Sequence, residues 1–145
     1  MFRLFQRSYG YLLAALLLLT GCRGDLKTSL DPESIRFITD LGLLDDGERI
    51  DLFDSHGAWG GSYRQGSFIT DKRIATYWIE DGDTSRYFAL FPEIDSLTYS
   101  DNSKSLTYAS VVKVYAKDVS FDVCIDLDSL PARTFFNRAK ELCGK

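Results

Sequence analysis

Between Glu48 and Leu127 the chain reads as a series of short runs in which the apolar period is two, and this pattern constrains the fold more than any other feature of the chain. A period of two puts alternate side chains on opposite faces of an extended strand. Seven runs have this character: 48–55, 62–70, 73–80, 85–91, 94–99, 106–117 and 119–127. The last is the cleanest. Val119, Phe121, Val123, Ile125 and Leu127 share one face, and Ser120, Asp122, Cys124 and Asp126 share the other. The connections are turn chemistry. Glu80-Asp81-Gly82-Asp83 and Ser100-Asp101-Asn102-Ser103 are rich in turn formers, and Lys117-Asp118 leaves room only for a tight reversal.

A helix is expected on either side of the strands. Asp31-Pro32-Glu33 supplies an N-cap, a proline for the first helical position and an acid for the first turn. Ile35, Ile38, Leu41 and Phe37 are its candidate apolar face, and Gly42 is its stop. At the other end Asp128 or Ser129 is the expected cap, with Pro131 in the first turn. Phe135, Ala139 and Leu142 form an i, i+4, i+7 stripe, and Gly144 ends the helix. No internal repeat or low-complexity segment interrupts this order.

Residues 1–21 carry a different message. Arg3 and Arg7 stand at the start without an acid, and Tyr11 to Leu19 is an unbroken apolar run. As a helix that run spans about 14 Å, under half of a ~30 Å hydrocarbon core, so it suits a secretory signal better than a membrane span. Its end, Leu19-Thr20-Gly21-Cys22, resembles the lipobox of bacterial lipoproteins. The resemblance implies that the Cys22 thiol is lipidated, that residues 1–21 are removed, and that several acyl chains hold the mature chain at a membrane, since one chain binds only marginally. Arg23, where an Asp would retain an enteric lipoprotein at the inner membrane, favours the periplasmic face of the outer membrane in a Gram-negative host. A plain signal peptide or an ordinary apolar helix is the alternative.

Removing residues 1–21 from the 145 leaves 124, enough for one domain with its own core. The expected division is 22–30 as a lipidated tether and 31–145 as the domain. Of 17 Lys and Arg, the loss of Arg3 and Arg7 leaves 15 against 21 Asp and Glu, a net charge of −6. That balance argues against nucleic acid and against docking on anionic lipid headgroups. In an oxidising compartment Cys124 and Cys143 are a candidate disulfide, which would close a loop of about 20 residues and contribute about 3 kcal/mol.

Seven strands in a meander followed by one C-terminal helix is the order of the pleckstrin-homology-like barrel. Two stretches strengthen the likeness. Gly42-Leu43-Leu44-Asp45-Asp46-Gly47-Glu48-Arg49-Ile50 resembles the opening of bacterial PH-like and GRAM-like domains. Gly66-Ser67-Phe68-Ile69-Thr70-Asp71-Lys72-Arg73-Ile74 is similar to one of their hairpins, and the Phe135-Phe136-Asn137-Arg138-Ala139 helix to the one that plugs the barrel. The resemblance covers about residues 42–143 and implies a mainly β fold: a seven-stranded antiparallel barrel, capped by the C-terminal helix and preceded by a short one. A lipocalin-like or other small barrel is the rival. The phosphoinositide mode of eukaryotic PH domains does not carry over, because residues 55–61 hold no Lys or Arg. At the Thr70-Asp71-Lys72-Arg73 corner, Thr and Asp are expected to bond local backbone while Lys and Arg solvate the tip.

Little here suggests catalysis. The single histidine, His56, lies in the glycine-rich Ser55-His56-Gly57-Ala58-Trp59-Gly60-Gly61 stretch. Its neighbour Ser55 points away from it in an extended chain, so His56 reads as an exposed loop residue. One histidine and distant cysteines do not make a zinc site. Asp122, Asp126 and Asp128 could hold Ca²⁺ weakly or act as a carboxylate pair, but a solvated sheet face is the simpler reading. No cofactor or metal is expected, and no enzyme.

The expectation is therefore a lipid-anchored, non-catalytic module of the bacterial envelope that docks a protein or peptide. Trp59, flanked by glycines, and His56 are its candidate partner-binding residues, since tryptophan is over-represented among binding hot spots. A small-ligand or lipid carrier using the barrel interior is the alternative, as is an inhibitor or immunity-type lipoprotein.

Overall fold

The computed structural model describes residues 26–56, 63–102, 104 and 109–144. A helix, α1 (Pro32–Asp40), precedes seven strands: β1 (Ile50–Asp54), β2 (Gln65–Thr70), β3 (Arg73–Glu80), β4 (Asp83–Leu90), β5 (Ile94–Ser100), β6 (Ser110–Ala116) and β7 (Val119–Ile125). A second helix, α2 (Ser129–Leu142), follows. The strands form two antiparallel sheets, in the orders β1-β2-β3-β4 and β5-β6-β7. No helix among the described residues is long and apolar enough to cross a membrane.

Turn chemistry sets the registers. Asp81 and Gly82 both have positive φ, 52° and 90°, the conformation of a two-residue type I′ hairpin, and Glu80 pairs with Asp83 across it. Lys117-Asp118 joins Ala116 to Val119 equally tightly. The expected closed barrel, however, does not form. Between β4 and β5 the chain makes a 3-10 turn, Phe91–Glu93, where Pro92 has no amide to donate and the Phe91 amide bonds the Lys72 carbonyl. The ladder breaks there, leaving two packed sheets.

The middle of the four-stranded sheet, β2 and the first half of β3, is buried on both faces, whereas β4 is exposed except near Ala89. Ile69, Ile74 and Ala89 face the three-stranded sheet, meeting Val112, Val114, Val123 and Ile125 and the α2 residues Ala132, Phe135 and Ala139. Phe53, Phe68, Ala75 and Tyr77 face α1, where Ile38 and the following Leu43 and Leu44 cover them. This third layer explains why β2 is buried from Gly66 to Thr70 and β3 from Arg73 to Tyr77, with no solvated face.

Asp31 caps α1 as its position predicts, accepting from the Ser34 amide (2.9 Å) and hydroxyl (2.6 Å). Gly42, at φ 72°, ends it, with the Gly42 amide on Thr39 and the Leu43 amide on Ile38. Ile35 departs from expectation. It is exposed, and the buried stripe runs through Ser34 and Ile38.

Two further expectations are corrected. Residues 26–30 are not a free tether: Leu26 packs against the main core, and Lys27 exchanges two 2.9 Å backbone hydrogen bonds with Phe53. Nor are Cys124 and Cys143 joined. Cys124 alternates with the inward residues Val123 and Ile125 and lies against Trp78 and Tyr87 on the outside, whereas Cys143 packs against the core beneath α2.

Candidate functional site

The two stretches that carry the family resemblance meet in space. Arg73 donates from Nε to Glu48 Oε1 (2.9 Å) and from Nη2 to Glu48 Oε2 (2.8 Å), a two-point pairing, and Nη2 also reaches Asp45 Oδ2 (2.6 Å). Thr70 Oγ1 donates to Glu48 Oε1 (2.5 Å) and accepts from the Lys72 and Arg73 amides (3.0 Å each). Thr70 thus does what its corner position implies. Arg73 does not solvate the tip; it is buried, with its guanidinium 5.0 Å from the centre of the Phe88 ring. Arg73, Glu48 and Thr70 are buried and bonded to one another, while Asp45 stays 60% exposed at the rim.

A second polar cluster lies between the sheets. Asp54 Oδ2 accepts the Asp126 amide (2.8 Å), and its other oxygen accepts the His56 amide (3.2 Å). His56 Nε2 is 2.6 Å from Ser67 Oγ and 3.9 Å from Asp54 Oδ2. Ser67 Oγ also contacts Thr76 Oγ1 (3.0 Å) and the Cys124 carbonyl (2.9 Å). Asp, His and Ser are the residue types of a hydrolase triad, but the polarity is wrong. The Cys124 carbonyl can only accept, so the Ser67 proton points there and His56 Nε2 must donate to Ser67. The same nitrogen faces the aspartate, and Ser67 is fully buried. The cluster is a polar tie from β1 and β2 to β7.

Burial pushes His56 below the usual imidazole range, against the pull of Asp54, and pushes the Asp54 carboxyl above its usual range. His56 is therefore not the exposed loop residue expected. Its side chain is only 14% exposed, at φ 52°. Its partners Asp54 and Ser67, and Thr76 behind Ser67, are not among the candidate residues read from the sequence. A signal existed: Asp54 alternates with Leu52, an inward position where a lone carboxylate demands partners.

Above this tie lies the open surface. A groove of about 480 Å³ is lined by Trp78, Tyr87, Lys113, Ser120, Phe121, Asp122 and Cys124. Three rings run along it, Trp78 stacked on Tyr87 (5.7 Å between centres) and Tyr87 on Phe121 (5.9 Å). Trp78 is 39% and Tyr87 40% exposed. On the other side of Trp78 a groove of about 340 Å³ is lined by Arg64, Gln65, Ile79 and Glu80. The floor is fixed by the tie. Gln65 and Ser67 pair across from Trp78 and Thr76, Gln65 Nε2 donates to the His56 carbonyl (2.8 Å), and the Cys124 carbonyl holds Ser67. Burial and the carboxylates of Asp122, Asp126 and Asp54 push the Cys124 thiol up, so it is a poor nucleophile.

Cys22 and Trp59 lie outside the described residues. Among the described residues, no three His, Cys, Asp or Glu side chains form a group suited to a metal. Asp122 pairs with Lys113 at 3.4 Å, and the Asp126 amide serves Asp54.

Seven antiparallel strands divided four and three, followed by a helix, define a mainly β architecture of two open sheets. No protein-family model matches the sequence, and no curated protein matches it. Among solved structures, a DUF1696 family protein with a pleckstrin-homology domain from Shewanella loihica PV-4 is similar, with a TM-score of 0.48 and 12% identity, over 80% of this chain and 94% of that one. No residue role passes from that protein to this chain.

Proposed function

We propose that this chain is a lipid-anchored, non-catalytic binding module of the bacterial envelope that engages its partner through the outer surface around Trp78. The observation that carries the reading is the exposed aromatic row, Trp78 and Tyr87 backed by Phe121, between two grooves on a floor fixed by buried hydrogen bonds. Large rigid rings on a rigid support are the usual anchors of a binding face. An outer surface is favoured over the interior because Ile69, Ile74, Val112, Val114 and Phe135 fill the space between the sheets, which leaves a carrier little to work with. Anchoring at Cys22, by its lipobox, puts this surface in the envelope. The same preparation tests both parts. The intact chain should carry acyl chains on Cys22 by mass spectrometry and be released by Cys22→Ala. Residues 23–145 should bind envelope membranes or extract saturably, and Trp78→Ala should abolish that binding while leaving the far-UV spectrum and melting intact. Saturable binding that survives Trp78→Ala would refute the surface.

A further inference from the structure

The first described residues fix where the anchor leaves the domain. Lys27 pairs with Phe53 antiparallel to β1, so the strand direction carries Leu26 toward the Asp54 end of β1. That end of the four-stranded sheet also carries Gln65, Trp78 and Glu80, since Gln65 pairs with Trp78 and Glu80 with Asp83 at the next turn. With strands about 4.8 Å apart, β3 lies about 14 Å across the sheet from the Lys27 segment. Between Cys22 and the packed residue Leu26 stand only Arg23, Gly24 and Asp25. Four residue steps reach at most about 14 Å fully extended. A lipidated Cys22 therefore holds this end of the domain, and not an arbitrary face, against the bilayer.

What this end presents fits a zwitterion. Each groove beside Trp78 offers one cation and one carboxylate, Arg64 with Glu80 in one and Lys113 with Asp122 in the other. The Lys113–Asp122 pair is about half exposed and open to exchange of partners. Basic groups suit a phosphate, while carboxylates and aromatic faces suit an ammonium. Tryptophan and tyrosine favour the membrane–water interface. The hairpin tip, Glu80, Asp81 and Asp83, repels an anionic surface but not a zwitterionic one.

We propose that the Trp78 end rests on the membrane holding Cys22 and that its two grooves take the headgroups of zwitterionic phospholipids. This deepens the reading above and rests on it for the lipid anchor and the Trp78 surface. The chain has two tryptophans, so Trp59→Phe leaves Trp78 as the sole reporter. The lipidated full chain with that change is reconstituted into vesicles of phosphatidylethanolamine and phosphatidylcholine brominated near the headgroup. Trp78 emission should shift to the blue and lose most of its intensity, and replacing most of the zwitterionic lipid with phosphatidylglycerol brominated at the same depth should restore it. A chain that floats with the vesicles while Trp78 stays unquenched overturns the headgroup proposal and leaves the anchor standing. A chain that fails to float overturns both. Shielding of Trp78 that appears in native membranes and not in lipid vesicles assigns the surface to a protein, and also overturns the proposal.

Discussion

Arg73 follows a hairpin turn in the sequence, yet it is only 4% exposed and is paired at two points with a Glu48 side chain that solvent does not reach. Removing one partner of a buried pair strands the other charge. Arg73→Ala should therefore cost about 3–5 kcal/mol of unfolding free energy, read by urea denaturation, while Arg73→Met with Glu48→Leu should cost much less. Gly66 is constrained by shape. A Cβ there would lie 2.6 Å from Phe53 Cζ and 2.7 Å from Cε2. Gly66→Ala should cost about 1–3 kcal/mol in the same assay. His56 sets a pH dependence. Its pKa is lowered in the fold, so the unfolded chain binds the extra proton, and stability should fall as pH drops through the ordinary histidine range near 6.5. Asp54, raised, has the opposite sign, its contribution being lost as pH rises through its folded value. Asp126 also faces His56 and opposes the lowering. Denaturation midpoints at pH 7.5 and 5.5 should differ for the native chain and converge for His56→Gln. At this scale the sequence was half legible. Thr70 announced its role because a threonine before a turn bonds amides two and three residues on. Arg73 and His56 were misread because their partners Glu48 and Ser67 are distant in sequence and meet them only after folding.

The elements were the most legible part, for a physical reason. Period-two alternation and local turn residues fix a strand and its neighbour without long-range information, so all seven strands fall within the expected runs or extend them by two residues at most. The segment expected at 106–110 lies partly outside the described residues. What an element packs against is less visible. The sequence of α1 shows an amphipathic helix but not that it covers the back of a sheet, and Ile35 was assigned to its buried face for want of that knowledge. The Asp31 cap holds this layer's first turn. Hydrogen bonds from Ser34 keep its carboxyl below the usual range, so its contribution is present above about pH 4 and lost as pH falls through its folded value. Asp31→Ala should speed exchange of the Ser34 amide and lower the melting temperature at pH 7, with the difference vanishing in acid. Equal exchange rates in both proteins would remove the cap from the account.

At the scale of the whole molecule, the polar tie, the aromatic row and the first described residue, Leu26, lie at one end of the four-stranded sheet. Nothing in the sequence shows this, because it follows from the Lys27–Phe53 pairing. The closed barrel was likewise over-read. A meander of seven strands is compatible with a barrel or with two sheets, and the ladder is interrupted at the β4–β5 corner, where Pro92 lies in a 3-10 turn. If Cys22 is lipidated as proposed, the three residues between it and Leu26 would make the anchor an orienting device as well as a tie. Hydroxyl-radical footprinting of the full chain in its own membranes, compared with the same chain released by detergent, tests this most directly. Trp78 and Tyr87 should be protected in the membrane and lose that protection on release, while exposed Tyr115 and Leu130 label equally in both states. Equal labelling of Trp78 in both states would contradict it.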